Sequence, residues 1–127
     1  MQSKIAAIRL GVENLARSRR FYTKGFGWSV DSENGERICY DMGGGLLLET
    51  WQQVAFEAEL GRFAIERPGP CALAIAAGSR GEVEALGERL LAAGGWIVQS
   101  ARQSQAGGYR IHISDPDCHA WQIDWDS

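Results

Sequence analysis

The sequence has few of the residues from which small cross-linked or metal-built folds are made. Its 127 residues include three cysteines, three prolines and two histidines. The cysteines, Cys39, Cys71 and Cys118, are odd in number, widely spaced and without a C-x-x-C pair. This usage is more typical of reduced thiols than of a disulfide framework or a structural zinc site. The fold is therefore expected to depend on a hydrophobic core.

The chain also lacks an excess of positive charge and a long hydrophobic run. Lys and Arg number 13 against 16 Asp and Glu, so the net charge is −3 and no positive field attracts nucleic acid or an anionic membrane. No apolar run approaches the roughly 20 residues of a membrane span, and no signal-peptide hydrophobic stretch follows Met1. We predict a cytoplasmic protein that binds neither nucleic acid nor membrane.

The remaining composition is that of a folded globular domain. Hydrophobic residues make up 45% of the chain and charged residues 23%, which excludes the low-apolar, high-charge class of disordered chains. A chain of this length forms one domain, here residues 1–127.

The first half of the sequence has the pattern of one strand, one helix and three further strands. Asn14 is a predicted helix N-cap, apolar residues recur at helical spacing after it, and Gly25 and Gly27 end the helix. The predicted strands are residues 5–12, 28–31, 37–41 and 46–51, divided by glycine-rich turns. The predicted order is β-α-β-β-β.

The second half repeats this order after a polar, linker-like stretch at residues 52–70. Ser79 and Glu82 form a predicted capping box for a helix that ends at Gly94. The predicted strands are residues 71–77, 96–99, 108–114 and 119–125. We interpret the two halves, residues 1–66 and 67–127, as an internal duplication of about 65 residues.

This element order predicts an α+β fold. The two β-α-β-β-β modules are expected to form a cupped, mostly antiparallel sheet with the helices on its outer face. Because each module has one helix for one face of its sheet, the other face must be covered by the sister module or by a second chain. A ligand is expected on the concave face.

Two motifs lie near opposite ends of the chain, one in the first half and one in the second. Residues 10–22 read L-G-V-E-N-L-A-R-S-R-R-F-Y and precede G-F-G-W at 25–28; G-Y at 108–109 precedes S-D-P-D-C-H-A-W-Q-I at 114–123. Over essentially its whole length the chain resembles the vicinal oxygen chelate superfamily, which includes glyoxalase I, fosfomycin-resistance enzymes, extradiol dioxygenases and bleomycin-resistance proteins. The resemblance implies a homodimer that closes the cup, and one such fold hosts many functions.

The resemblance also implies where metal ligands would stand. Members that bind a metal carry His or Gln on the first strand, Glu on the fourth, His on the fifth and Glu on the eighth. The corresponding residues here are Ala7, Glu49, Cys71 and Gln122, so only Glu49 matches fully. We therefore predict no metal and no cofactor, and place the protein nearer to the bleomycin-resistance branch.

Residues with binding chemistry are expected on the concave face. Glu49 is either a ligand-contacting acid or the ion-pair partner of Arg9 or Arg110. Guanidinium groups suit a carboxylate or phosphate, and Trp51 suits a flat ligand. His112 shares a strand face with Arg110 and is either an acid, base or donor, or a structural histidine. The predicted ligand-binding residues are Arg9, Glu49, Trp51, Arg110, His112 and Gln122.

Three other residues are interpreted as structural. Cys71 has no basic neighbour in the sequence and is expected to be a buried, inert thiol. Trp28 and Trp96 follow the two helices at equivalent positions, which favours packing roles for both.

The leading hypothesis is a metal-independent protein that binds a small molecule, either a drug or a metabolite. The alternative is a lyase, isomerase or dioxygenase. It would use either a rearranged metal site of Glu49, His112, Gln122 and Cys71, or metal-free acid–base chemistry at His112 or Glu49.

Overall fold

The first half of the chain forms the predicted β-α-β-β-β unit and adds one helix. The computed structural model describes residues 3–61, 70–104 and 107–126. Helix α1 continues without a break into a π-helical turn, Phe21–Gly25. The elements are β1 (Ala7–Val12), α1 (Leu15–Arg20), β2 (Val30–Glu33), β3 (Arg37–Asp41), β4 (Leu47–Gln52) and α2 (Gln53–Leu60).

The second half has the same order. Its elements are β5 (Ala72–Ala76), α3 (Arg80–Ala92), β6 (Trp96–Gln103), β7 (Tyr109–Ser114) and β8 (Ala120–Trp125). Helix α2 lies in the stretch predicted to be a linker, so that prediction is wrong for residues 53–60. The predicted module boundary between residues 66 and 67 lies outside the described residues. No helix of the described segments is long and apolar enough to span a bilayer.

Local side-chain caps begin α1 and α3 at the predicted residues. The Asn14 side chain accepts a hydrogen bond from the backbone N–H of Arg17 at 3.0 Å, and the Ser79 hydroxyl accepts one from that of Glu82 at 3.1 Å. The Glu82 carboxylate accepts the N–H of Gly78. These contacts satisfy N–H groups that have no partner within the helix.

The strands form two separate four-stranded sheets with the same topology. Their orders are β1-β4-β3-β2 and β5-β8-β7-β6. In each sheet one pair is parallel, β1 with β4 and β5 with β8, and the other two pairs are antiparallel. The α+β prediction and the mostly antiparallel pairing are confirmed.

One hydrophobic core joins the two sheets on their helix-facing sides. Alternation along the strands places Tyr40 and Leu48 of the first sheet, and Ile113 and Trp121 of the second, on these sides. All four belong to one buried cluster, in which Tyr22 of the π-turn contacts Trp121 with a centroid distance of 5.8 Å. The polar faces of both sheets therefore point away from the shared core.

Of the two packing roles predicted for tryptophans, the one for Trp28 is confirmed and the one for Trp96 is wrong. Trp96 is 62% exposed on β6, which has a partner strand on only one side among the described strands, so its predicted packing role is wrong. Trp28 is half-buried and stacks on Phe26 with ring centroids 4.3 Å apart. The two positions are equivalent in sequence but not in packing.

A buried carboxylate connects the halves. Asp115, which is 1% exposed, accepts the Tyr22 hydroxyl at 2.6 Å and contacts His119 Nδ1 at 2.7 Å through Oδ2. Its Oδ1 accepts the backbone N–H groups of Asp117 and His119. Trp121 Nε1 donates to the Tyr22 hydroxyl at 3.2 Å. Burial, together with the charge of Asp115, raises the pKa of Tyr22 well above its usual value, so the phenol stays protonated and donates.

The turn between β7 and β8 also holds the start of α1. Asp117 accepts hydrogen bonds from the Ser18 hydroxyl at 3.1 Å, from Arg17 at 2.9 Å and from the backbone N–H of Glu13 at 2.9 Å. Cys118, next in this turn, has a φ of +69°, which strains a residue with a Cβ. The turn therefore holds the carboxylates of Asp115 and Asp117 in contact with the first half of the chain.

We predict that Tyr22→Phe lowers the free energy of unfolding by about 1–3 kcal/mol, because it leaves Asp115 short of a buried donor and Trp121 Nε1 without its acceptor. Urea denaturation at pH 7, followed by circular dichroism, measures this change.

Tyr40→Phe is the matched control. Tyr40 is also fully buried, but its hydroxyl has no hydrogen-bond partner among the described residues, and burial raises its pKa to about 12. Its removal should change stability by less than about 0.5 kcal/mol or increase it. Equal losses in the two variants would contradict the role assigned to the Tyr22–Asp115 bond.

Candidate functional site

The polar face of the first sheet carries four side chains that contact one another. In the strand register Arg9 lies opposite Glu49, and Arg37 lies opposite Trp51. All four positions alternate with core positions on their strands, so their side chains share the face opposite α1. We call this set the Glu49 group: Arg9, Arg37, Glu49 and Trp51.

Glu49 is the buried centre of this group. It is 4% exposed, and its Oε1 accepts hydrogen bonds from Arg9 Nε at 3.0 Å and Trp51 Nε1 at 2.7 Å. The predicted alternative of an ion pair with Arg9 is thus confirmed. No donor among the described residues contacts Oε2, so this oxygen retains capacity to accept a further hydrogen bond.

Two guanidinium groups flank the indole of Trp51. The central carbons of Arg9 and Arg37 lie 5.6 and 5.2 Å from its ring centroid, which is within cation–π range. The group contains two guanidinium cations and one carboxylate, so its net charge is positive. Arg37 was not among the residues predicted from the sequence; its place opposite Trp51 depends on the pairing of β3 with β4.

The surroundings keep Glu49 ionised. Burial raises the pKa of a carboxyl group, but hydrogen bonds from Trp51 and Arg9 and the charges of Arg9 and Arg37 outweigh it. The pKa of Glu49 therefore lies below its usual value. Glu49 is therefore an ionised carboxylate fixed by hydrogen bonds, and not a protonated acid.

The polar face of the second sheet carries the other predicted residues. Arg110 Nε donates to Asp124 Oδ1 at 2.6 Å, and the two residues lie opposite each other on β7 and β8. His112 is half-buried and lies opposite Gln122 on β8 and Gln99 on β6. We call Arg110, His112, Gln122 and Asp124 the His112 face.

The structure divides the six predicted ligand-binding residues between two sheets. Arg9, Glu49 and Trp51 lie in the Glu49 group; Arg110, His112 and Gln122 lie on the His112 face. No hydrogen bond or ion pair within residues 3–61, 70–104 and 107–126 joins the two sets. Asp124, the partner of Arg110, was not predicted, although its alternation with Gln122 places it on the same face.

The strand register revises one of the proposed metal positions. In the first sheet Ala7 and Arg9 lie opposite Leu47 and Glu49; in the second, Ala72 and Ala74 lie opposite Ala120 and Gln122. Matching Glu49 with Gln122 makes Ala72, not Cys71, the counterpart of Ala7. Cys71 precedes β5 and is exposed, so its predicted burial is wrong.

The donor atoms at these positions do not fit a divalent ion. Ala7 and Ala72 have no donor atom in their side chains, Gln122 is a neutral ligand, and one oxygen of Glu49 is already bound by Arg9 and Trp51. No group of three or more His, Cys, Asp or Glu suited to a metal occurs among the described residues.

We predict that Glu49→Gln lowers the free energy of unfolding by about 1–2 kcal/mol at pH 7, because charge-assisted hydrogen bonds from Arg9 and Trp51 are weakened. Since the pKa of Glu49 is lower in the folded state than in the unfolded state, this stabilisation is present at neutral pH. It is lost as the pH falls through the folded-state value. Urea denaturation of both proteins from pH 7 to pH 3 should show the difference shrinking in acid.

Glu88→Gln, on the exposed surface of α3, controls for the loss of one negative charge and should leave stability unchanged at every pH. A Glu49→Gln deficit that persists undiminished at pH 3 would show that the effect is not due to the ionised carboxylate.

Comparison with proteins of known structure identifies similar folds along the whole chain. A glyoxalase-related enzyme from Fulvimarina pelagi has 39% sequence identity and a TM-score of 0.92, with 98% of this chain and 89% of that chain covered. An enzyme of the glyoxalase/bleomycin resistance protein/dioxygenase family from Burkholderia phytofirmans has 16% identity and a TM-score of 0.87, over 98% and 100%. Lactoylglutathione lyase from Agrobacterium tumefaciens has 18% identity and a TM-score of 0.71, over 98% and 95%. The last two likenesses show the fold alone.

A search of curated proteins found no match to this sequence. The family model of the glyoxalase/bleomycin resistance protein/dioxygenase superfamily matches residues 4–123. With two β-α-β-β-β units, the paired sequence motifs and this match over nearly the full chain, the protein belongs to the glyoxalase/bleomycin resistance protein/dioxygenase superfamily.

Proposed function

We propose that this protein binds a small planar molecule with a carboxylate or phosphate group, without a metal ion, at the Glu49 group. The observation that carries this proposal is the fixed arrangement of two guanidinium groups around one indole and one buried carboxylate. Preorganised polar groups beside an aromatic surface are the usual ingredients of a ligand site.

The charges of the group favour an anionic ligand. Only Nε of Arg9 is used by Glu49, which leaves the terminal nitrogens of that guanidinium as donors. Arg37 adds a second positive charge that the described residues do not pair with a carboxylate in a salt bridge. Guanidinium groups bind carboxylates and phosphates through two parallel hydrogen bonds, and Trp51 offers a surface for a flat ring.

Glu49 supports orientation and selectivity in this proposal. Its free oxygen, Oε2, accepts a hydrogen bond from a ligand that also carries a hydroxyl or amine. A ligand that places a second anion there would be repelled. The buried carboxylate therefore selects a ligand with one acidic group and one donor group.

A second copy of the chain completes the cup in this proposal. The polar faces of both sheets point away from the shared core, and Ala72, Ala74 and Ala76 are exposed along β5. Pairing the first sheet of one chain with the second sheet of its partner would bring a His112 face over a Glu49 group. A homodimer thus unites the six residues that one chain keeps apart.

We predict that 1-naphthoate, used as a planar anionic probe, binds saturably and that Arg37→Gln weakens its affinity about tenfold, because one charge-assisted contact is lost. Isothermal titration calorimetry measures both affinities. Sedimentation of the same wild-type sample should give a mass twice that of one chain.

Lys24→Gln removes an exposed positive charge from the π-turn and is the matched control; it should not change the affinity. Equal losses in Lys24→Gln and Arg37→Gln would show that the probe responds only to net charge. A monomer that binds the probe as tightly as predicted would contradict the shared site.

The second candidate is an enzyme of the same superfamily, a lyase, isomerase or dioxygenase with a rearranged metal site or metal-free acid–base chemistry. Two observations favour it: the relative with 39% identity is named a glyoxalase-related enzyme, and His112 lies half-buried opposite Gln122. A histidine side chain can act as an acid, a base or a hydrogen-bond donor.

Thermal denaturation with Mg²⁺, Mn²⁺, Fe²⁺, Ni²⁺ and Zn²⁺ separates the two candidates, because an ion that binds only the folded state raises the melting temperature. We predict no shift above about 1 °C and no stoichiometric metal by elemental analysis. A clear shift that Glu49→Gln or His112→Ala abolishes would instead establish a rearranged metal site.

A further inference from the structure

Two of the three cysteines lie side by side at one end of the second sheet. Cys71 immediately precedes β5, and Cys118 lies two residues before β8. Both are exposed, whereas Cys39 is buried. β5 and β8 are parallel neighbours in which Ala72 lies opposite Ala120. Because the two strands run in the same direction, the residues that precede them are also neighbours.

The spacing of these cysteines is within reach of a disulfide bond. Neighbouring strands lie about 4.8 Å apart and successive residues about 3.3 Å, so the Cα atoms of Cys71 and Cys118 are about 6 Å apart. Disulfides join Cα atoms that are about 4.4–6.8 Å apart. Alternation along β5 places Cys71 on the same side as Leu73. Cys118 is in a turn and does not follow this alternation, but it lines the same cavity of about 180 Å³ as Cys71 and Leu73.

The backbone of Cys118 is strained without a gain in packing. Its φ of +69° is one that glycine adopts freely but that crowds a Cβ atom. The side chain is exposed, and its sulfur forms no hydrogen bond among the described residues. Strain that local packing does not explain points to a functional use of the side chain.

We propose that Cys71 and Cys118 form a reversible thiol–disulfide pair that hydrogen peroxide oxidises. One thiolate attacks the peroxide, so that an S–O bond forms, the O–O bond breaks, and one water leaves. The second thiolate attacks the resulting sulfenic sulfur, so that the S–S bond forms, the S–O bond breaks, and a second water leaves. The two thiols lose two electrons and two protons, which convert one peroxide into two waters.

The disulfide would tie β5 to the turn that connects the two halves of the chain. Cys118 follows Asp117, which accepts hydrogen bonds from Ser18 and from the backbone N–H of Glu13. Closing the long loop between Cys71 and Cys118 lowers the entropy of the unfolded chain, so oxidation should stabilise the folded state. The pair is separate from the Glu49 group, which lies in the other sheet.

The test exposes the full chain, at low concentration, to hydrogen peroxide and counts the free thiols with Ellman's reagent in guanidinium chloride. The reduced chain has three thiols. Oxidation should leave one, and dithiothreitol should restore all three. Peptide mass mapping should find Cys71 linked to Cys118 within one chain. The melting temperature should rise by about 5 °C or more on oxidation.

Cys39→Ser is the matched control, because it removes a buried thiol that the proposal does not use. This variant should still lose two thiols and show the same rise in melting temperature. Cys71→Ser and Cys118→Ser each remove one partner. Both should form no disulfide within the chain, and peroxide should not raise their melting temperatures.

Four results would overturn the inference. They are survival of all three thiols, a disulfide that involves Cys39 or joins two chains, separate oxidation of the two cysteines to sulfinic acids, and a melting temperature that falls when the disulfide forms. Failure of 1-naphthoate to bind would overturn the proposed function and leave this inference intact.

Discussion

The interaction on which the rest of the structure depends is the buried contact between Tyr22 and Asp115. Each half of the chain is a small sheet with a helix, too small to bury a sizeable core by itself. Asp115 accepts hydrogen bonds from Tyr22 and from its own turn, so the π-turn of the first half is fixed against β8 of the second. This contact sets the position of the aromatic cluster, which is common to both sheets.

The shared core determines where function can reside. Since the helix-facing sides of the sheets are joined, the polar side chains on the opposite sides point outwards. The Glu49 group and the His112 face therefore lie on separate sheets of one chain. The same packing leaves a cavity between the sheets beside Trp28, where the core is incomplete.

The members of the superfamily that bind a metal concentrate charge on four strand positions. In this chain alanines stand at two of those positions, and the remaining carboxylate is bound by Arg9 and Trp51. At the position that matches a metal ligand of those members, Glu49 forms a salt bridge with Arg9. The carboxylate therefore stays part of a preorganised polar centre that Arg9 and Trp51 hold in place.

The order of the elements, the helix caps at Asn14 and Ser79 and the face on which Glu49 and His112 lie could be predicted from the sequence, because capping and strand alternation are local properties. Helix α2 escaped prediction because its residues show little amphipathic pattern and its Phe56 packs against Gly11 of β1. The predicted counterpart of Ala7 on β5 was wrong by one residue, Cys71 instead of Ala72, because the pairing of β5 with β8 fixes this position.

The sequence by itself determined the fold class, the superfamily and which side chains face away from the core. Only the tertiary structure decided their partners. Glu49 pairs with Arg9 rather than with Arg110, and Arg110 pairs with Asp124. The tertiary structure also placed Arg37 beside Trp51 and left Trp96, but not Trp28, exposed. The physical reason is that alternation and capping act over a few residues, whereas ion pairs and burial depend on which distant strands become neighbours.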